Sequence, residues 1–327
     1  MTRPLKVSVI IPVYGVEKYI AEFAVSAFEQ TYPYIEYVFV NDGTKDRSIE
    51  ILENLIAEKY PHLKDSVIIV NKENGGLPAA RKTGLEHASG DYIWHVDPDD
   101  WLELDAVASI VDKIVQTGAD VVYFNLIKEY GDRYLERHHP YELERSRQER
   151  ERNASDAQRE YVRDMYNHRS FGSVCNKCMR RSLYDKPNVI FAKFSYAEDT
   201  FLTSQLVGYS SSIAFLHKPL YHYRKTNPHS ITRQSRKKRR GEYAQNFLNL
   251  YENYRDVSPE VNPIASIQDD LIIQAGWYSI LYGLDLFSSR RYLAKEVLKA
   301  KMHADTDVWI PAQLITKLVA LLKRKSR

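Results

Sequence analysis

The first 125 residues alternate between two hydrophobic periods. Val7-Ser8-Val9-Ile10-Ile11-Pro12 is an almost continuous β-branched run, the pattern of a strand buried on both faces. Residues 17–30 then read as a helix, and Ile35 to Val40 as a second strand. After Asp42-Gly43-Thr44 a helix is predicted to about Lys59, with Ile49, Leu52, Leu55 and Ile56 on one face. Val67 to Val70 is a third strand, 78–88 a helix and Tyr92 to Val96 a fourth strand. A helix over 102–117, stopped by Gly118, leads to a fifth strand at Val121 to Phe124. Strand and helix in strict alternation predict a mostly parallel α/β sheet with right-handed crossovers.

The second half reads differently. Residues 142–163 are densely charged with mixed sign, as in a solvated helix or loop, and 165–232 return to mixed apolar and aromatic content. From residue 241 the period is helical, over 241–255, 264–285, 289–301 and 312–325. The basic run Arg236-Lys237-Lys238-Arg239-Arg240 marks the change, so an α/β domain over 1–233 and a helical extension over 234–327 are expected. Within the former, 1–125 and 126–233 form two halves.

Composition adds limits. A hydrophobic content of 44% supports a true core, and a net charge of +3 is too small to point to nucleic acid. Two cysteines, Cys175 and Cys178, make no disulfide framework, which fits a reducing, cytoplasmic compartment. Their C-x-x-C spacing lacks a second ligand pair, so no zinc or redox role is expected. The N-terminal apolar run is too short for a signal segment and no stretch approaches a membrane span. The sequon at Asn153 is therefore expected to be unused, and His138 and His139 to be exposed loop residues.

In open α/β sheets, ligands bind beyond the carboxyl ends of the strands. Four segments lie there: Pro12 to Gly15, Asn41 to Gly43, Asn71 to Gly76, and Asp97 to Asp100. Asp97, Asp99 and Asp100 crowd three carboxylates into four positions, which raises the cost of ionising each. On an extended chain Asp97 and Asp99 point the same way and suit a hard cation, Mg²⁺ or Mn²⁺, that also takes phosphate oxygens. The competing reading makes Asp99 or Asp100 the N-cap of the helix beginning near Leu102. Asp42-Gly43 reads as a tight turn or as an acceptor for a pyrimidine N3–H. Gly75 and Gly76 allow close backbone approach to a ligand, and Arg81 can offer a guanidinium to phosphate or base.

Taken together, VSVIIPVYG, FVNDGTKDRS, NKENGGLPAARKTGL, ASGDYIWHVDPDDW and YAEDTFL, in this order, resemble the inverting family 2 glycosyltransferases of the GT-A fold. CNKCMRRSLY and LYHYRKTNPHSIT resemble segments of bacterial members, so the likeness runs over residues 5–232. It implies a Rossmann-like GT-A domain and transfer of a sugar, with inversion, from a nucleotide diphosphate donor to a hydroxyl. It further implies that Asp97-Pro98-Asp99 is the DxD motif for donor and cation, with Asp100 its adjacent third acid. Pro12, Val13, Tyr14 and Asp42 would line the nucleotide, Asp42 reading uracil. Gly75 and Arg81 join this donor set. In Glu198-Asp199, the ED motif, Asp199 would be the general base. Glu17, Asp100, Lys177, Glu198, His222, Arg224 and Ser230 complete the candidates, with His222 and Arg224 expected as donors to phosphate in a segment that could close over the diphosphate. Gly15 and Lys82 stand where the family commonly has Asn, and Pro98 where Ser or Ala is commoner.

The expected donor is a UDP-sugar, and the expected acceptor a glycan or lipid-linked saccharide in surface polysaccharide or lipopolysaccharide synthesis. The apolar face of Leu314 to Leu322, followed by a basic end, fits a helix lying on anionic lipid as well as one packed on the core. Two rival readings are a sugar-phosphate nucleotidyltransferase and an inactive nucleotide-sugar binder. The loop Pro12-Val13-Tyr14-Gly15 lacks the glycines and cation of the first, and intact Asp97, Asp99 and Asp199 speak against the second. A dinucleotide-binding dehydrogenase lacks its G-x-G-x-x-G after strand one.

Overall fold

The structure, a computed structural model, describes residues 3–131, 134–137, 172–231, 236–254, 256–258 and 262. The charged segment 142–163, His138, His139, Asn153, the predicted helices 264–285, 289–301 and 312–325, and the basic tail lie outside the described residues.

The β-branched runs form the strands that were expected. β1 (Val7–Val13) is buried along its whole length. It pairs in parallel with β2 (Ile35–Asn41) on one side and β4 (Tyr92–His95) on the other, and β3 (Val67–Asn71) extends the sheet beyond β2. The register sets Val13 beside Asn41 and Asn41 beside Asn71, so three candidate loops leave the sheet side by side. Helices α1 (Ile20–Phe28), α2 (Ser48–Lys59) and α3 (Leu77–His87) make the crossovers. α3 sits close to β1 and β2 because Gly84 faces them. A Cβ there would stand 2.3 Å from Ile10 Cγ2 and 3.3 Å from Val40 Cγ2.

The remaining strands mix directions. β6 (Val121–Glu129) follows α4 (Ala106–Thr117), and β8 (Lys177–Arg180) runs antiparallel between β4 and β6. β9 (Ile213–Arg224) lies parallel to β6, and β7 (Tyr134–Arg137) pairs with the far half of β6. With β5 (Trp101–Leu102) at the edge, the sheet order among the described residues is β3-β2-β1-β4-β8-β6-β9-β5, with β7 on β6. Helices cover this mixed α/β sheet. The parallel character is carried by β1 to β4.

One expected helix start is corrected. Trp101–Leu102 form a short strand, β5, paired with Tyr221 and His222 of β9, and α4 begins only at Ala106 after Asp105. Neither Asp99 nor Asp100 is therefore an N-cap. Pairing with β9 overrides the helical pattern because it also satisfies the buried Asp100 carboxylate, as described below.

After β8 comes α5 (Glu198–Tyr209), and the basic run 236–240 opens α6 (Arg236–Tyr254). α6 buries Tyr243, Ala244, Phe247, Leu248, Leu250, Tyr251 and Tyr254. No described helix is long and apolar enough to cross a membrane.

At the amino end of the sheet, opposite the candidate loops, Glu36 is buried on β2. It accepts from Lys6 Nζ at 2.6 Å, Ser8 Oγ at 2.7 Å, Ser89 N–H at 2.7 Å and Ser89 Oγ at 2.6 Å. Burial alone would raise its pKa, but these bonds overcome it and hold the carboxyl at about 2, against an ordinary 4.5. A folded value below the unfolded one stabilises the fold above pH 4.5, and that gain disappears as pH falls towards 2. Thermal melts across this window are expected to show a steep loss in the parent and a shallower one in Glu36→Gln. At neutral pH the variant is expected to be less stable by about 1–3 kcal/mol.

Candidate functional site

Behind β4 the acidic stretch is a turn, with Asp100 N–H donating to Asp97 O at 3.2 Å. It is not extended, so Asp97 and Asp99 do not share a side by strand alternation and instead take different partners. The end of β9 wraps the turn. Asp97 N–H donates to Tyr221 Oη at 3.1 Å, and Tyr221 Oη donates to Asp100 Oδ2. Arg224 N–H reaches Asp100 Oδ1 at 2.7 Å, and Arg224 Nε reaches Asp99 O at 2.7 Å. Asn227 Nδ2 donates to Asp99 Oδ2 at 2.7 Å. Asp100 is 1% exposed; burial, then Asp99 and Asp97, push its carboxyl well above the usual range. Asp100 thus serves the inside of the turn. Burial and the charge of Asp97 raise Asp99 as well.

Asp97 accepts from Arg81 Nη2 at 2.9 Å and from Cys175 Sγ at 3.5 Å. Arg81 rises from α3 and is 2% exposed. Its other terminal nitrogen pairs with Glu198, the first residue of α5. One guanidinium therefore joins the acidic turn to a helix start a hundred residues away in sequence. Burial disfavours its charge, but Asp97 leads the neighbours that hold its pKa up. The two terminal nitrogens of Arg81 face the carboxylates of Asp97 and Glu198, and a buried guanidinium needs such partners.

Asp199 follows at the N-terminus of α5. Its N–H donates to Glu198 Oε2 at 2.6 Å, and its Oδ1 accepts Thr200 N–H at 2.7 Å. Burial pushes the Asp199 carboxyl up, with Arg81 the largest influence opposing it. Lys177 also acts on it, from a fully buried position where its Nζ bonds Ser173 O at 2.8 Å and Asn176 Oδ1 at 3.1 Å.

On the other flank, Pro12 and Val13 are buried at the end of β1, whereas Tyr14 is 57% exposed. Asp42 is buried and already engaged. Its Oδ1 accepts Gly75 N–H at 2.9 Å and Lys72 Nζ at 2.7 Å, and its Oδ2 accepts Gly76 N–H at 2.8 Å. The carboxylate thus folds the glycine loop over the strand end. Gly43, with φ +68°, lets that loop close, since a Cβ there would stand 2.9 Å from Asn74 N. Glu17 is used structurally, its N–H donating to Asp46 at 2.9 Å and its carboxylate accepting Arg47 N–H at 3.1 Å.

His222, expected as a phosphate donor, has both ring nitrogens occupied, by Glu103 at 2.7 Å and Glu129 at 2.8 Å. It stacks on Trp101 at 4.9 Å, which holds β5 to β9. Arg224 lies over the other neighbours of the turn, 4.5 Å from the Trp101 ring, and pairs with Glu22 at 2.7 Å. Ser230 is partly buried in the turns after β9. Lys72, Tyr221 and Asn227 carry no individual signal in the sequence, and Cys175 stands out only for its C-x-x-C spacing. Lys72 follows β3 next to the glycines, and Tyr221 and Asn227 flank His222 and Arg224, so position in the quoted segments was the available signal.

The donors left at the turn are hard carboxylate oxygens of Asp97 and Asp99. Among the described residues no three His, Cys, Asp or Glu side chains converge on one point that could hold a metal unaided. The set fits a divalent cation whose shell is completed by ligand oxygens rather than one held by the protein alone.

The family model described as glycosyl transferase family 2 matches residues 8–186. Glycosyltransferase GlyA of Streptococcus pneumoniae serotype 4 is 31% identical over 67% of this chain and 30% of its own length. EpsJ of Bacillus subtilis, described as an uncharacterized glycosyltransferase, is 32% identical over 69% of this chain and 62% of its own. The chain thus spans less than two thirds of the length of either relative. Among solved structures, S. aureus TarS 1–349 in complex with UDP-GlcNAc aligns with a TM-score of 0.62 at 16% identity, covering 97% of this chain and 88% of that one. The mannosyltransferase PcManGT of Pyrobaculum calidifontis, in complex with GDP-Man and Mn²⁺, aligns with a TM-score of 0.53 at 19% identity, over 99% and 82% of the two chains. These likenesses show a shared fold. With more than half of its length matched by the family model, the chain belongs to glycosyl transferase family 2.

Proposed function

We propose that this chain is an inverting glycosyltransferase that moves a sugar from a UDP-sugar to a hydroxyl of a glycan or lipid-linked acceptor, as in surface polysaccharide synthesis. The observation that carries this reading is the Arg81 bridge from Asp97 to Glu198, which sets Asp199 beside the acidic turn. A cation-binding turn and a buried carboxylate in one site are what a single displacement at an anomeric carbon needs.

Asp99, with Asp97, would hold Mn²⁺ or Mg²⁺. When bound, the cation neutralises charge developing on the leaving nucleoside diphosphate. The chain's own residues do the rest. Asp199 accepts the proton of the acceptor hydroxyl while that oxygen bonds to the anomeric carbon. The bond from that carbon to the donor phosphate oxygen breaks on the opposite face, leaving its electron pair on the diphosphate. The raised basicity of Asp199 suits this task, since a base works best with a pKa moved towards the working pH. Asp42 uses three of about four acceptor positions of a carboxylate on the glycine loop and Lys72, which leaves one on Oδ2 for a uracil N3–H. Tyr14, exposed beside it, offers a face to the base. The UDP and UDP-GlcNAc complexes of TarS support the choice of nucleotide, and the Mn²⁺ complex of PcManGT supports the cation. We assign the work to the cytoplasm, with the basic end of 312–325 as the segment for peripheral membrane contact, and we divide the chain at 233 between transferase domain and helical extension.

UDP release from a UDP-sugar in the presence of Mn²⁺ is expected to fall by about 10²–10⁴-fold in Asp199→Asn, with donor binding by calorimetry retained. Parental turnover in that variant would remove Asp199 as the base. Thermal shifts with UDP-, GDP- and dTDP-sugars plus Mn²⁺ are expected to show the largest rise for a UDP-sugar. A response to GDP-mannose alone would overturn the assignment of Asp42 to uracil.

A further inference from the structure

The backbone that delivers Asp199 is held from outside the segment matched by the family model. Ala197, immediately before α5, has φ +60° and ψ 24°, a left-handed conformation that side-chain-bearing residues adopt seldom. It caps α5 without any side-chain cap bond. Such a conformation persists only where its surroundings over-determine it.

Those surroundings are α6. Glu242 Oε2 accepts Tyr196 N–H at 2.9 Å. Asn246 Nδ2 donates to Phe194 O and to Tyr196 O, each at 3.1 Å. Glu242 and Asn246 are four residues apart, so they share one face of α6. Asn246 is 1% exposed. Tyr243 packs edge-on against Tyr196 with ring centres 6.2 Å apart. Further along, Asn253 Nδ2 donates to Asn188 O at 2.6 Å and Tyr254 Oη meets Gln205 of α5 at 3.3 Å. Three hydrogen bonds thus fall on residues 194–196, directly ahead of the strained alanine.

We propose that α6, the first helix of the extension, acts on the transferase domain, with Glu242 and Asn246 as positioning residues that clamp Phe194 to Tyr196 and thereby aim Glu198 at Arg81 and Asp199 into the site. Asn246 fits the role because a carboxamide nitrogen donates to two carbonyls at once, whereas an isosteric carboxylate would repel both. The consequence for catalysis rests on the reading of Asp199 as the base; the clamp itself does not.

The test uses the full chain as parent, E242Q, E242A and N246D. Hydrogen–deuterium exchange is read at 194–200, and UDP release is measured from UDP-N-acetylglucosamine with Mn²⁺. E242Q keeps an acceptor for Tyr196 N–H and is expected to behave as the parent. E242A and N246D are expected to speed exchange at 194–200 while β4 and residues 97–102 exchange as in the parent. Their kcat is expected to fall about 10–100-fold, the effect of a misplaced catalytic group, with the donor KM within about threefold. In a D199N background they are expected to cost nothing further, since residues that act through one another are not additive. Glu242 is partly exposed, so E242A carries the test if N246D fails to fold. Parental exchange at 194–200 in E242A would overturn the clamp. A full additional loss in D199N would overturn the route through Asp199. A D199N chain with parental turnover would instead overturn the base assignment, leaving exchange to report on the clamp.

Discussion

A buried guanidinium must be paired, and at Arg81 that requirement organises the whole site. Its partners sit on different elements: Asp97 closes β4 and Glu198 opens α5. Taking the cation away would leave the buried Glu198 unpaired and the partly exposed Asp97 without its cation, and breaking a buried pair typically costs about 3–5 kcal/mol. The same charge tempers the burial of Asp199 and of Cys175. Close approach of α3 to the sheet, permitted at Gly84, is what brings Arg81 within reach of the strand ends.

Around this centre the chain wraps in two layers. The inner one is the end of β9 and the turn after it, where Tyr221, Arg224 and Asn227 satisfy the acids of the turn, and His222 with Trp101 fastens β5 alongside. The outer one is α6, which backs both α5 and the loop that enters it. Each acid therefore has an assigned task. Asp100 holds the turn from inside, Asp97 binds Arg81, Asp99 lies nearest Asn227, and Asp199 is positioned from behind.

Much of this was legible in the sequence. β1 to β4 and their crossovers follow from continuous β-branched runs and helical periods, both local signals. That Asp42, Gly75 and Asp97 follow strand ends was legible from the strands, whereas Asp199 was reached only through the resemblance of YAEDTFL. What stayed hidden depends on partners distant in sequence. Leu102 read as a helix start, and Trp101 was not read as strand, because β9, their partner, lies about 120 residues on. β8 is four residues long and has no period to read. Arg81 and His222 read as phosphate donors because a sequence shows a cation but not the carboxylates that face it. The engagement of Asp42 by Lys72 and two backbone N–H groups was hidden for the same reason.

The most direct measurement is a crystal structure of the full chain with UDP and Mn²⁺ bound. The account predicts the cation at the carboxylates of the acidic turn, Arg81 still joined to both Asp97 and Glu198, and Asp199 facing the space beyond the diphosphate. An Arg81 guanidinium released from Glu198 and placed on the diphosphate would contradict it.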